Sequence, residues 1–269
     1  MRNLIFSDYN TLSEWVGHYV AHRINKAQPT QDEPFVLGLP TGSSPVGTYK
    51  TLVDLYKQGK VSFKNVVTFN MDEYVGLPED HPQSYHYFMQ EHLFGHIDIP
   101  ESQVNIPDGN AEDLNEECRS YEERIREVGG IDLFLGGIGE DGHIAFNEPG
   151  SSLSSRTRLK TLTYDTRVAN SRFFDGDIDK VPKTALTVGV GTVMDADEVL
   201  IIVNGIKKAR ALHMMIESGI NHMWTSSMLQ LHSRGMVACD EEATMELKVG
   251  TVKYFKDIES EALSNLPEL

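Results

Sequence analysis

The chain repeats one pattern: a short apolar run ends in glycine or small polar residues, and a stretch with apolar residues at helical spacing follows. Such runs lie within residues 35–39, 66–69, 131–135 and 198–203. Their length and composition are typical of buried strands. Because strands and helices alternate along the chain, we predict an α/β fold, a three-layer α/β/α sandwich with a mainly parallel, Rossmann-like sheet.

The remaining segments fit the same architecture. We expect residues 1–269 to form a single domain, because no internal repeat or linker interrupts the pattern. The first helix, within 11–26, is expected to be capped near Ser7–Asp8 or Thr11–Ser13. Further strands and helices are expected at 3–6, at 45–58, after Pro82 within 81–97, at 111–130, at 206–218 after a short Asn204–Gly205 turn, at 224–231, at 235–239 and at 244–258, with a strand and a turn within 184–195.

The charge of the chain limits the partners that it can bind. The formal net charge is −16 and the isoelectric point is about 5.0. Nucleic acid and anionic membranes attract basic surfaces, so neither is an expected partner. Two cysteines, Cys118 and Cys239, are too few for a disulfide framework. No apolar run has the length of a signal peptide or a membrane span, so we expect a cytoplasmic protein.

The stretch LGGIGEDGHIAFNEPGSS, residues 135–152, follows one of the predicted strands. It places Asp141, His143 and Glu148 just past the carboxyl end of that strand, where open α/β sheets bind ligands. Histidine titrates near neutral pH, and flanking carboxylates can orient its ring and raise its pKa. The pattern favours a proton-transfer site, although a glycine-rich surface turn with a solvated histidine would have similar residues.

A second candidate is the loop Thr41–Ser44 between a strand and a helix that begins near Pro45. Free N–H groups at a helix N-terminus bind phosphate, although capping by Ser or Thr explains such loops equally well. The Walker A spacing is absent. Lys207 and Lys208 follow another strand, and one of them could pair with a phosphate.

Two further segments contain candidate catalytic or binding residues. Asp72 and Glu73 follow the strand at 66–69, and an acid there can have a raised pKa and accept a proton from carbon, although a capping or salt-bridged acid is the simpler interpretation of this pair alone. The segment 151–195 concentrates positive charge in an acidic chain, which indicates anion sites. Phe173 and Phe174 followed by Asp-Gly are consistent with a mobile lid near 160–185, or with a simple hydrophobic anchor.

Several motifs together closely resemble the glucosamine-6-phosphate deaminase family, and the resemblance covers essentially the whole chain. The motifs are LGLPTGSSP, VTFNMDEYVGLP, GEDGHIAFNEPGSSL, SRTRLKTL, ANSRFFD, ALTVGVGT and NHMWT. The family converts glucosamine 6-phosphate to fructose 6-phosphate and ammonia, so the resemblance implies a hydrolase acting on a cyclic amino sugar phosphate. It implies no metal and no redox cofactor, and a homo-oligomer, often a hexamer.

The resemblance also implies residue roles. Asp72 matches the base that takes the C2 proton, and His143 matches the group that opens the pyranose ring, with Asp141 and Glu148 as its partners. The matching phosphate contacts are Thr41, Gly42, Ser43, Ser44, Arg172 and Lys208, and Phe174 falls in the matching lid. In allosteric members, N-acetylglucosamine 6-phosphate activates from a second site, and the matching residues are Ser151, Arg158, Lys160, Thr161 and Tyr254.

Two other functions remain open. A 6-phosphogluconolactonase-like hydrolase shares the fold and a similar GxDGH loop, although the NMDEY acid and the FNEP glutamate favour the deaminase. A non-catalytic sugar-phosphate sensor would require a DNA-binding segment, and the chain shows no spare basic helix-turn-helix. A basic inter-subunit surface without regulatory function is the alternative to the allosteric site.

Overall fold

The computed structural model describes residues 1–269 and contains a seven-stranded sheet in which every neighbouring pair of strands is parallel. The strands are β1 (Arg2–Phe6), β2 (Phe35–Leu39), β3 (Val66–Asn70), β5 (Val104–Asn105), β6 (Leu133–Gly137), β9 (Val199–Val203) and β10 (Gly235–Asp240). Their order in the sheet is β1-β10-β9-β6-β2-β3-β5. Most of these strands are buried along their whole length, because helices cover both faces of a parallel sheet.

Nine α-helices surround this sheet in two layers. They are α1 (Tyr9–Ala27), α2 (Val46–Lys57), α3 (Tyr85–His92), α4 (Leu114–Glu127), α5 (Tyr164–Ser171), α6 (Val190–Met194), α7 (Ala209–Ile216), α8 (Val249–Ile258) and α9 (Ser260–Ser264). One core cluster of 27 buried residues joins the sheet to α1, α2 and α3, and another of 25 joins it to α4, α6 and α7. The three-layer prediction is therefore confirmed.

A second, smaller sheet was not predicted. Its strands β4 (Asp72–Tyr74), β8 (Thr184–Thr187) and β7 (Arg158–Thr161) are antiparallel and follow the order β4-β8-β7. Three residues, two of them acidic, carry no periodic signal of their own, so β4 depends on its distant partner. In β4, Asp72 pairs with Thr187, which is far away along the chain.

Several predicted helices have different bounds or a different geometry. The segment 81–97 is helical only over α3, because Leu93 leaves the helical region and a 3-10 turn, Phe94–His96, follows. The segment 224–231 is a 3-10 helix, Thr225–Leu231. The final predicted helix splits into a 3-10 turn, Glu242–Thr244, and α8, with α9 after it. The predicted turn near 190 is α6.

Two local predictions are resolved by the structure. Asp8 is the N-cap of α1, and its carboxylate accepts a hydrogen bond from the backbone N–H of Thr11. Cys118 and Cys239 are both buried free thiols. No helix of the chain has the length and apolar character needed to cross a membrane.

Candidate active site

The main cavity, about 760 Å³ in volume, lies at the carboxyl edge of the large sheet. The chain proceeds from β2 outward to β3 and β5, and β6 and β9 then lie on the opposite side of β2. Ligands of open α/β sheets bind where the strand order reverses in this way. Loops that follow β2, β3, β6 and β9 line the cavity, and α5 with the residues after it covers one side.

Asp72 lines this cavity although its side chain is largely withdrawn from solvent. It begins β4, where the backbone leaves the large sheet and pairs with β8. Burial and, to a smaller extent, the neighbouring Glu73 carboxylate raise the pKa of Asp72 to about 8, whereas His143 acts in the opposite direction. A carboxyl group with such a pKa can exchange a proton near neutral pH.

His143 also lines the cavity, and two acids flank its ring. Its Nδ1 lies 2.7 Å from Oδ1 of Asp141 and 3.9 Å from Oε2 of Glu148. Burial alone would lower the pKa of His143, but the hydrogen bond with Asp141 and the charges of both acids outweigh it, so the pKa lies above its ordinary value. Glu148 lies behind the ring and outside the cavity lining, with Oε1 accepting from the Thr163 N–H at 3.3 Å.

The loop that carries His143 is held by close backbone contacts. The N–H of Gly139 donates to the carbonyl of His143 at 2.9 Å. A Cβ at position 139 would lie 2.4 Å from Cε1 of the His143 ring, so only glycine leaves room for it. Thr225 bridges the far side, since its Oγ1 accepts from the Ile144 N–H at 3.2 Å and donates to the Asn147 carbonyl at 3.0 Å.

Cationic side chains and a helix N-terminus line another wall of the same cavity, which we call the anion pocket. The loop Thr41–Ser44 lines it, and α2 follows with Pro45 as an N-cap that makes no side-chain hydrogen bond. The alternative interpretation, in which Ser or Thr of this loop caps the helix, is therefore wrong for α2. Lys208 Nζ reaches this loop, where it lies 3.4 Å from Ser44 Oγ and also donates to the carbonyl of Ile138.

Lys208 and Arg172 both line the anion pocket, where the acid Glu140 also lies. Burial and, to a smaller extent, the charge of Arg172 lower the pKa of Lys208 to about 8, whereas the charge of Glu140 acts in the opposite direction. Arg172 lines the cavity at the end of α5, with its guanidinium 4.7 Å from the centre of the Phe173 ring. Two cations that share one pocket repel each other until an anion binds between them.

The segment near 160–185 folds over this cavity as the end of β7, α5 and the start of β8. Phe174 is buried in a small apolar cluster with Tyr74 and Phe146, and its ring centre lies 6.0 Å from that of Tyr74. The hydroxyl of Tyr74 accepts a hydrogen bond from Asn170 Nδ2 at 2.9 Å. The segment therefore contacts the strand that begins with Asp72.

The five residues predicted for a second site do not line this cavity. Arg158, Lys160 and Thr161 lie on β7, and Arg158 Nη1 donates to Asn147 Oδ1 at 2.8 Å, next to Glu148. Ser151 is buried with a hydroxyl that has no hydrogen-bond partner. Tyr254 lies on α8, 60% exposed, and α8 packs against β1 rather than β7.

Several residues of the cavity were not predicted. Tyr74, Tyr85 and Asn170 form an aromatic and amide wall beside Asp72, and Asn204 lines the anion pocket. Ser84 caps α3 through a hydrogen bond from the Tyr87 N–H, and this capping signal in the sequence would have placed Tyr85 at a helix start. Asn204 follows β9 directly, so its position at a strand end was a usable signal.

The same acids and histidine form the one cluster with three metal-ligating atoms within 4.8 Å of one another, namely Asp141, His143 and Glu148. In the structure, Nδ1 of His143 is engaged by the Asp141 carboxylate. That contact orients the ring, which suits a histidine that transfers protons.

Comparison with protein families gives one match over most of the chain. The model of the family described as glucosamine-6-phosphate isomerases/6-phosphogluconolactonase matches residues 7–237. A glucosamine-6-phosphate deaminase of Phocaeicola vulgatus is 70% identical over 259 residues, which cover 96% of this chain and 98% of the relative. One of Borreliella burgdorferi is 61% identical over 265 residues, covering 98% and 99%.

Solved structures extend the comparison to the fold. A monomeric glucosamine-6-phosphate deaminase superposes with a TM-score of 0.86 at 42% identity, covering 90% of this chain and 98% of its own. The 6-phosphogluconolactonase of Trypanosoma cruzi superposes with a TM-score of 0.70 at 20% identity, covering 92% and 97%. The second similarity concerns the fold alone.

Proposed function

The chain belongs to the glucosamine-6-phosphate isomerase/6-phosphogluconolactonase family, and from this premise we propose that it converts glucosamine 6-phosphate and water to fructose 6-phosphate and ammonia. The observation that carries the proposal is the convergence of Asp72, His143 and an anion pocket on one cavity. Relatives between 61% and 70% identical over nearly the whole chain are named glucosamine-6-phosphate deaminases, which supports this reaction over lactone hydrolysis or ligand sensing.

Ring opening is the first step of the proposed reaction. It requires a group that removes the proton of the anomeric hydroxyl and returns it to the ring oxygen. We assign this to His143, because an imidazole can accept and donate protons near pH 7. Asp141 orients the ring from 2.7 Å and stabilises its protonated form, and Glu148 adds negative charge behind it.

Proton transfer between carbons is the second step. Asp72 takes the proton from C2 of the open-chain aldehyde and returns it to C1, while a proton of the amine passes to O1, which leaves an imine at C2 and a hydroxyl at C1. A carboxylate that is shielded from water and close to the carbon is an effective base for this transfer. Water then adds to C2 and ammonia leaves, so the net change is an isomerisation coupled to a hydrolysis.

The anion pocket supplies the binding energy and orientation for this chemistry. A sugar phosphate carries nearly two negative charges, and Lys208, Arg172 and the N–H groups of Thr41–Ser44 are the groups that would offset them. Binding of the phosphate would also relieve the repulsion between Lys208 and Arg172. No metal or redox cofactor is needed for any proton transfer in this scheme.

The test is a comparison of sugar phosphates as substrates. Purified protein is incubated with glucosamine 6-phosphate and, separately, with 6-phosphogluconolactone, and ammonia release and lactone hydrolysis are measured. Release of ammonia with formation of fructose 6-phosphate is the expected result. Lactone hydrolysis without ammonia release would replace the proposal with the lactonase, and binding without either reaction would replace it with the sensor.

We also propose regulation by N-acetylglucosamine 6-phosphate at a site built from Ser151, Arg158, Lys160, Thr161 and Tyr254. Arg158 contacts Asn147, which directly precedes Glu148, so an occupied site could influence the partner of His143. Tyr254 and the β7 residues lie on elements that pack against different parts of the chain. A second copy of the chain would supply Tyr254, which supports a homo-oligomer, with a hexamer as the specific proposal.

The apolar surface of α8 is consistent with such an assembly, since Val249, Tyr254 and Ile258 are all more than half exposed. One solved relative is described as monomeric. We propose further that residues 1–269 act as one domain in the cytoplasm and that the segment near 160–185, with Phe174, acts as a lid.

Lys160→Ala tests the regulatory proposal. Loss of one ammonium group from the second site should weaken activation about tenfold in activator concentration, because a charge-assisted contact to phosphate is lost. The maximal rate should be unchanged. Substrate-saturation curves with and without N-acetylglucosamine 6-phosphate measure both quantities, and an unchanged activator response in the variant would exclude Lys160 from such a site.

A further inference from the structure

The turn that carries Lys208 into the anion pocket is attached to the next strand of the sheet by one buried carboxylate. Asp240 ends β10, and both of its oxygens accept a hydrogen bond from the Gly205 N–H, each at 3.0 Å. Oδ1 also accepts from the Ala243 N–H at 2.9 Å. Asp240 is 5% exposed, and no lysine, arginine or histidine lies within ion-pair distance of it. Its charge is therefore stabilised by backbone N–H groups.

The conformation of this turn decides where Lys208 lies. Gly205 has φ +83°, a left-handed conformation that residues with a Cβ rarely adopt. Its carbonyl accepts from the Lys208 N–H at 3.1 Å, which closes the short 3-10 turn Ile206–Lys208. The backbone of Lys208 is thus set directly by Gly205, and Gly205 is held by Asp240.

The ammonium group of Lys208 is held at its other end by the loops after β2 and β6. Its Nζ contacts Ser44 and the carbonyl of Ile138. Ser44 Oγ in turn donates to Asn204 Oδ1 at 2.7 Å, so the residue before Gly205 also takes part. Two loops and the end of a strand therefore determine the position of the Lys208 ammonium. Asp240, which holds this strand end through Gly205, does not line the cavity itself.

We propose that Asp240 is a positioning residue for phosphate recognition: its carboxylate fixes the turn 204–208 so that the Lys208 ammonium stays directed into the anion pocket. The substrate in this inference is the sugar phosphate of the proposed function, on which the inference rests. Capping of the 3-10 turn Glu242–Thr244 would require only the bond from Ala243, and it does not explain why both oxygens face Gly205.

The experiment measures binding of inorganic phosphate by calorimetry in Asp240→Asn, Lys208→Ala and the double variant. Asp240→Asn keeps the side-chain volume but removes the charge that holds Gly205. We expect about tenfold weaker phosphate binding, the effect of losing one charge-assisted hydrogen bond. In the Lys208→Ala background the same change should have almost no effect, because two residues that act through one contact are not additive.

Steady-state kinetics distinguish a positioning role of Asp240 from a purely structural one, because only the former changes KM without changing kcat. Asp240→Asn should raise KM for glucosamine 6-phosphate about tenfold with kcat within about twofold, because phosphate binding and not proton transfer is altered. The matched control is Glu241→Gln, which removes a neighbouring exposed charge that pairs with Lys256. It should leave KM and phosphate affinity unchanged.

Two outcomes would overturn the inference: phosphate binding that is unchanged in Asp240→Asn, or an equal loss in the wild-type and Lys208→Ala backgrounds. If Asp240→Asn does not fold, Gly205→Ala takes its place. An added Cβ there meets no atom within 4 Å, so only the turn is disturbed, and phosphate binding should weaken through Lys208 alone. Calorimetry requires no turnover, so failure to release ammonia would reject the proposed function without rejecting this inference.

Discussion

Asp72 and Asp141 occupy comparable positions but differ in proton affinity. Each follows a strand that pairs with β2, on opposite sides of it, and both line the same cavity. The pKa of Asp72 is raised to about 8, whereas that of Asp141 is lowered despite partial burial. The residue type and the sheet edge are therefore not what sets the protonation state.

The neighbours of each carboxylate explain the difference. Asp72 lies beside another acid, Glu73, and is largely shielded from water. Burial also disfavours the charge of Asp141, but the hydrogen bond and the positive charge of His143 more than compensate for it. One carboxyl group can therefore carry a proton near neutral pH while the other stays ionised and orients an imidazole. Four predictions test this division.

The largest expected effect is that of Asp72→Asn. The amide cannot accept the C2 proton, so turnover should fall about 10³-fold, within the usual range for loss of a general base. Fructose 6-phosphate should still bind nearly as well, since the anion pocket is unchanged. Ammonia release and the exchange of the C2 proton with deuterated solvent measure this loss. Exchange at the wild-type rate in the variant would show that Asp72 is not the base.

A smaller loss is expected from Asp141→Asn. The variant removes the negative charge that lies 2.7 Å from His143 Nδ1 and raises the pKa of the ring. His143 itself remains, so turnover should fall about 10²-fold. Steady-state rates over a range of pH measure this effect, and a loss equal to that of Asp72→Asn would contradict the division of roles.

Glu73→Gln should change the pH dependence more than the maximal rate. The base must be ionised, so kcat/KM rises as pH passes the Asp72 pKa; removing the adjacent charge lowers that pKa and moves the rise about one unit downward. The other titratable groups near Asp72 are His143, Tyr49, Tyr74, Tyr85 and Tyr121.

The matched control for this variant is Glu79→Gln, since Glu79 is mostly exposed and reaches the same His86 that contacts Glu73. Its pH profile should match that of the wild-type protein. A downward shift in the control, or no shift in Glu73→Gln, would show that the charge of Glu73 does not determine the proton affinity of Asp72.

The smallest expected effect concerns stability. The pKa of Asp72 is higher in the folded than in the unfolded chain, so its stabilising contribution is complete below pH about 4 and is lost as pH rises through about 8. The melting temperature of Asp72→Asn minus that of the wild-type protein should therefore be about 3 °C larger at pH 9 than at pH 5. Thermal unfolding of both proteins at pH 5 and at pH 9 measures this change. The same difference in melting temperature at the two pH values would contradict the prediction.

Much of the large sheet could be predicted from local patterns. The strands Phe35–Leu39 and Gly235–Asp240 were placed to within one residue, because consecutive apolar residues between turn signals indicate buried strands. The small sheet could not, since β4 has only three residues and pairs with a strand more than a hundred positions away. The 3-10 geometry of Thr225–Leu231 also escaped prediction, because apolar spacing does not separate it from an α-helix.

The candidate site divides in the same way. Motifs indicated Asp72, His143 and the loop Thr41–Ser44, because each carries an unusual set of residues after a strand. Asp240 could not be recognised, since it is an ordinary acid at the end of a strand. Its importance depends on Gly205, which is a neighbour only in the folded chain.

The sequence by itself determined the alternating architecture and the edge of the sheet at which polar residues gather, because strand and helix patterns and turn residues act over short distances. Only the tertiary structure decided which of the two aspartates holds a proton and how the Lys208 ammonium is directed. Those properties depend on burial and on charges contributed by residues far apart in the chain, which come together only when the sheets and helices pack.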